Sequence, residues 1–111
     1  MQRVLDITSP VPLEALEPTT IVTGEPHAGS RALAAVAGAE VGVWEMTEGV
    51  ATDVEVDEVF VVLEGSATVE FEDGDVIELN PGSTVRLRAG DRTKWTVRTT
   101  LRKIYFTGME L

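Results

Sequence analysis

From residue 40 onward, apolar and polar residues alternate in short runs, and turn residues recur about every ten positions. "EVGVWEMTEG" puts Val41, Val43 and Glu45 on one face and Gly42, Trp44 and Met46 on the other. "DEVFVVLEG" is rich in β-branched and aromatic residues and closes on Glu64-Gly65. "SATVEFEDG" alternates Ala67, Val69 and Phe71 against Thr68, Glu70 and Glu72, then meets Asp73-Gly74, a strong hairpin signal. "DVIEL" ends at Asn80-Pro81-Gly82. "STVRLRAGD" alternates Val85 and Leu87 against Arg86 and Arg88. "RTKWTVRTT" and "LRKIYFTG" make a last pair. About seven strands follow, with no sustained helical period, which is the pattern of an antiparallel sandwich or barrel.

Residues 1–39 read differently. They carry Pro10, Pro12, Pro18 and Pro26 and little periodicity. An irregular arm is expected there, belonging to the same domain as the barrel of residues 40–111. Short strands are expected near Arg3–Ile7 and Thr20–Thr23, and one helical turn at "LEAL", residues 13–16. The Gly- and Ala-rich stretch 24–40 is expected to be loop and edge strand, because its alanines favour helix but Gly29 and Gly38 do not.

Composition narrows the chemistry. The 111 residues suit one core. With no cysteine, disulfides, thiol nucleophiles and cysteine-bound metals are excluded. No run approaches the roughly 20 apolar residues of a membrane-spanning helix. The start, "MQRVLDITSP", has no long apolar run of the signal-peptide kind, so a cytoplasmic location is expected. The net charge of −10 speaks against nucleic acid, which needs clustered Lys and Arg. The charge is also segregated. Residues 40–80 are acidic with no Lys or Arg, whereas residues 86–103 hold Arg86, Arg88, Arg92, Lys94, Arg98, Arg102 and Lys103. The acidic stretch is either a solvated surface or the partner of the basic one, within one barrel or across a dimer.

Two glycine-spaced blocks resemble the cupin superfamily. Glu58 precedes Gly65 by seven residues, and Gly74 precedes Asn80-Pro81-Gly82. "GVWEMTEG", "DEVFVVLEGSATVEFEDG", "NPGSTVRLRAGDRTKWTV" and "LRKIYF" are similar, more narrowly, to the small single-domain cupins grouped with ureidoglycine aminohydrolase and the ethanolamine-utilisation cupin. The resemblance implies an all-β fold: a single-domain jelly-roll β-barrel of six to eight strands with an irregular N-terminal arm. It also implies a homodimer, since an open edge strand invites pairing.

The family's metal motif departs from its pattern here. Its paired histidine positions fall at Thr52 and Val54, or at Ala51 and Asp53 with the longer spacing, and its third at Val85. Glu58 alone remains. A transition-metal site needs three or four converging donors, so no metal or other cofactor is expected. Ureidoglycine aminohydrolase resembles a two-cupin, metal-dependent enzyme, and this chain matches neither feature. His27, the one histidine, lies in the arm; it is expected to be inert there unless the arm folds across the barrel mouth.

The candidate site is therefore a metal-poor barrel pocket for a small polar metabolite. Glu58 is its candidate acid or base. Lys103 and Tyr105 share one strand face and join Glu58 if that face looks inward. Trp44, Thr52, Val54, Phe60, Val85 and Trp95 are the candidate pocket wall, on the rule that pockets are mostly apolar with a few polar anchors. The same pocket suits an enzyme or a non-catalytic binding module, and a structural accessory dimer is a third possibility. Neither nucleic acid nor membrane is an expected partner.

Overall fold

The computed structural model describes residues 3–108. Nine strands form one curled antiparallel sheet: β1 (Glu14–Ala15), β2 (Ile21–Thr23), β3 (His27–Val36), β4 (Ala39–Met46), β5 (Gly49–Val54), β6 (Glu58–Phe71), β7 (Val76–Leu79), β8 (Thr84–Leu87) and β9 (Arg92–Gly108). One 3₁₀ turn, Pro18–Thr20, precedes β2. The all-β expectation holds. Among the described residues no helix is long and apolar enough to cross a membrane.

The spine is the pairing of β6 with β9. Both strands run past the breaks expected at Glu64-Gly65 and between "RTKWTVRTT" and "LRKIYFTG". Residues 92–97 of β9 lie between β5 and the second half of β6. Residues 101–108 lie between β4 and the first half of β6. The two halves meet at a register irregularity between Val62 and Ala67. Gly65 sits there with φ +93°, and a Cβ on it would stand 2.2 Å from the Thr100 carbonyl oxygen. Gly65 therefore marks an irregularity inside one strand, where a turn had been expected.

Two other expectations are corrected and one is extended. Residues 24–40, expected as loop and edge strand, contain a full ten-residue strand, β3, which lies near one edge of the sheet and forms a hairpin with β4. Ala37 and Gly38 close it with φ values of 49° and 81°, the two positive φ angles a tight hairpin needs. Gly29 lets the arm approach β3 closely, since a Cβ on it would stand 1.7 Å from the Pro12 carbonyl oxygen. "LEAL" supplies β1, paired to His27 and Ala28, and makes no helical turn. Arg3–Ile7 forms no strand, whereas the expectation near Thr20–Thr23 is met by β2. The strand β5 gave no clear alternation and was not expected; it brings Thr52, Asp53 and Val54 to the sheet.

The arm is held by arginines. Buried Arg102 bonds Glu45 at 3.1 Å and donates to the carbonyls of Ile7 and Ser9 at 2.8 and 2.9 Å. Arg31 adds bonds to the carbonyls of Asp6 and Ser9 at 3.2 Å. The core on the other face comprises Phe60, Val62, Ala67, Val69, Leu79, Leu87, Val97 and Leu101, joined by Met46, Ala51, Trp95 and Tyr105.

The charge segregation resolves into pairing within the chain. Arg86–Asp57, Arg92–Glu72, Lys94–Glu70, Arg98–Glu78, Arg102–Glu45 and Lys103–Glu58 each join the basic segment to the acidic one. The first four are substantially exposed and contribute little stability. The last two are buried, and one of them lies in the site.

Candidate functional site

Alternation along β9 sends Lys103 and Tyr105 to the inner face and leaves Phe106 exposed outside. In register, Lys103 lies opposite Trp44 on β4 and opposite Val62 on β6. Its ammonium bonds Glu58 Oε2 at 2.7 Å. It also stands 4.3 Å from the ring centroid of Phe60, 4.6 Å from that of Trp44 and 4.9 Å from that of Trp95. The side chains are 6% and 13% exposed for Lys103 and Glu58, so this pair has left bulk water. Removing two charges from water costs several kcal/mol per ion. The carboxylate offsets part of that, and each ring face contributes about 0.5–2 kcal/mol.

Beside the pair, Tyr105 donates to Glu40 Oε2 at 2.7 Å, and Ser30 also hydrogen-bonds the phenol. Burial first, then the Glu40 carboxylate, pushes the Tyr105 hydroxyl up to about 12. At neutral pH it is a fixed hydrogen-bond donor and not a base. Gly42 is what admits this ring, because a Cβ at that position would lie 2.3 Å from the phenolic oxygen.

A third polar centre was not visible in the sequence. Glu55 follows β5 and is only 8% exposed. Its backbone is pinned to the turn before β9 by bonds with Asp91 and Gly90. Its Oε2 accepts from Thr93 Oγ1 at 2.6 Å and from Trp95 Nε1 at 3.0 Å. Nearby Asp53 is raised above the ordinary aspartate range, by desolvation first and by repulsion from Glu55 second.

These groups line one cavity of about 510 Å³, within the size range of small-molecule sites. Glu58, Lys103, Tyr105, Trp44, Trp95, Thr52 and Val54 all border it, as do Glu55, Asp53, Ser30, Met46 and Glu17. Two expected wall residues do not. Phe60 is fully buried beneath Lys103. Val85 lies opposite Phe60 in the β6–β8 register and packs against the core. Both side chains pack in or against the core and do not border the cavity. His27 begins β3, where it is exposed and bonds the Glu25 carbonyl at 3.0 Å, and it does not border the cavity.

Residues 33–105 match the family of EutQ-like cupin domains. The chain belongs to that family. Among solved structures it is similar to a putative ethanolamine utilization protein Q from Salmonella typhimurium LT2, with a TM-score of 0.65 at 17% identity over 90% of this chain and 98% of the other. It is similar to the EutQ protein of Clostridium difficile, with a TM-score of 0.64 at 20% identity, where it covers 75% of this chain and 63% of that one. It is also similar to ectoine synthase from P. lautus, with a TM-score of 0.67 at 18% identity over 87% of this chain and 70% of that one. At these identities the likeness establishes the jelly-roll fold. No curated protein matches the chain.

The cupin resemblance raises the question of a barrel metal, and the residues present do not fit one. Thr52, Val54 and Val85 offer no imidazole or carboxylate, and Glu58 already holds the Lys103 ammonium. Among the described residues no group of three or more His, Cys, Asp or Glu side chains is placed to hold a metal ion. The internal cation of this cupin is a lysine.

Asp53 carries a cost in the unliganded fold. Its raised pKa means the folded chain holds the Asp53 proton to higher pH than the unfolded chain does. Stability attributable to this group is thus greatest at acid pH and declines as pH rises from the ordinary 3.8 through the raised value. Asp53→Asn should raise the Tm by about 1–3 °C at pH 7, a modest gain because the group is partly solvated. The gain should vanish near pH 3.5, as thermal melts at the two pH values will register. An unchanged or lowered Tm at pH 7 would contradict the repulsion.

Proposed function

We propose that this EutQ-like cupin binds a small polar metabolite inside its barrel without a metal ion. The observation that carries this reading is the Lys103–Glu58 pair at the cavity wall, ringed by aromatic faces. A buried ion pair is seldom the most stable way to fill a core, since apolar residues of similar volume commonly do as well or better. Charged groups kept beside a cavity are candidates for contact with a ligand. Trp44 and Trp95, with ring centroids 5.7 Å apart, supply the apolar wall.

Glu58, Lys103 and Tyr105 remain the proposed polar contacts. Each already has a protein partner, and the phenol stays protonated at neutral pH. That favours orienting a ligand over moving protons. A library of polar metabolites, tested by thermal shift, should contain a compound that stabilises the chain. A ligand at ten times its Kd adds about 1.4 kcal/mol, or about 5 °C for a domain of this size. Trp44→Ala should abolish the shift. A library without any stabilising compound, or an undiminished shift in Trp44→Ala, would refute the reading.

We also infer a homodimer. Val59 and Phe106 face one another across β6 and β9 and are 37% and 40% exposed, an apolar pair on the outer face of the sheet. Light scattering should give about twice the 12.0 kDa chain mass, and Phe106→Glu should halve it. A monomeric mass for the unaltered chain would exclude the dimer.

A further inference from the structure

The cavity is lined by four carboxylates, Glu17, Asp53, Glu55 and Glu58, and by one ammonium, that of Lys103. Lys103 and Glu58 satisfy each other at 2.7 Å. The ammonium is further enclosed by three rings, so it has little left for an incoming anion. The remaining acids have no such partner. Among the described residues, Glu17, Asp53 and Glu55 take part in no ion pair, although five pairs neutralise acids elsewhere. Glu55 is the telling case. It is more than nine-tenths buried and borders the cavity. Both of its hydrogen bonds go to Oε2, and Oε1 takes none. Oε1 is not sealed off from solvent, so it is open to a donor that a ligand brings into the cavity. Asp53, repelled by Glu55, pulls in the same direction. The walls beside them include Trp44 and Trp95, whose ring faces favour cations, as their contact with Lys103 already demonstrates.

We propose that the cavity selects ligands bearing a cationic nitrogen, a small organic ammonium or amidinium, with its charge against Glu55 and Asp53 and its carbon skeleton on Trp44. This rests on the binding function proposed above and assigns it a ligand class. An anionic ligand would meet buried Glu55 and the more exposed Asp53 and Glu17, none of them in an ion pair, and a neutral one would bring them no counter-charge.

The test uses three probes of one shape and different charge: n-butylammonium, n-butanol and butyrate. Each is titrated into the full chain at low salt and neutral pH, with the indole N–H signal of Trp95 followed by NMR. That N–H donates to Glu55, so it reports on the carboxylate directly. Butylammonium should move the signal with a Kd in the millimolar range expected of so small a ligand. Its binding should be at least about tenfold tighter than that of the other two. Glu55→Gln and Asp53→Asn should each weaken it by about fivefold or more. Glu64→Gln, an exposed acid outside the cavity, should leave it unchanged. Should Glu55→Gln fail to fold, Asp53→Asn carries the same reading. Equal or tighter binding of butanol or butyrate would overturn the ligand class and leave the pocket reading standing. An equal loss in Glu64→Gln would reduce the effect to surface charge and overturn the proposal. Silence from all three probes would overturn the ligand class, and with an empty metabolite screen it would overturn the pocket reading too.

Discussion

The Lys103 ammonium sits almost wholly out of water, yet carboxylate and ring faces surround it: Glu58 at 2.7 Å, and Phe60, Trp44 and Trp95 with centroids between 4.3 and 4.9 Å. Each of these partners comes from a different strand, except that Glu58 and Phe60 share β6. The cluster thus couples β4, β6 and the two halves of β9. If the charge were absent, Glu58 would be a buried, uncompensated carboxylate, and the inner ends of the rings would face a void. The fold around the cavity is built on the assumption that this cation is present, and it is supplied by the chain itself.

The geometry that assembles the cluster is the length of β6 and β9. Running as continuous strands through the irregularity at Gly65, they carry residues from one half of the curled sheet to the other. Trp95 and Lys103 are eight positions apart on one strand and still meet over a common cavity. Two short hairpins in their place would not hold the two sites in one register. The N-terminal arm adds Leu16, Glu17 and Thr20 to the cavity border, and buried Arg102 fastens the start of that arm to the opposite face of the sheet.

Much of this was legible in the sequence, and the failures have physical causes. Period-two alternation identified β4, β8 and the second half of β6, because each has one face in the core and one outside, and β-branched and aromatic content identified the first half of β6. The spacing of Glu58, Gly65 and the Asn80-Pro81-Gly82 turn pointed to the cupin fold. Alternation left open which face of β9 looks inward, and it is the pairing with β4 that puts Lys103 beside Trp44. Glu55 was invisible, since it follows a strand with no clear pattern and owes its burial to backbone bonds with the distant Gly90–Asp91 turn. Phe60 and Val85 were misassigned to the pocket wall because a residue can face inward and still be covered, here by Lys103 and by each other's strands. The edge strand expected within residues 24–40 is β3, but its small residues carry too little alternation to show that it runs unbroken for ten residues.

A lysine, and not a metal ion, is the partner of Glu58 within this cupin barrel. Metal analysis tests it most directly, on protein prepared without chelators and without a nickel column, alongside the Glu58→Gln variant. Far less than one transition-metal ion per chain is expected, with no difference between the two proteins. One bound equivalent that is lost in Glu58→Gln would contradict it, because a metal ion and not the Lys103 ammonium would then be the charge partner of Glu58.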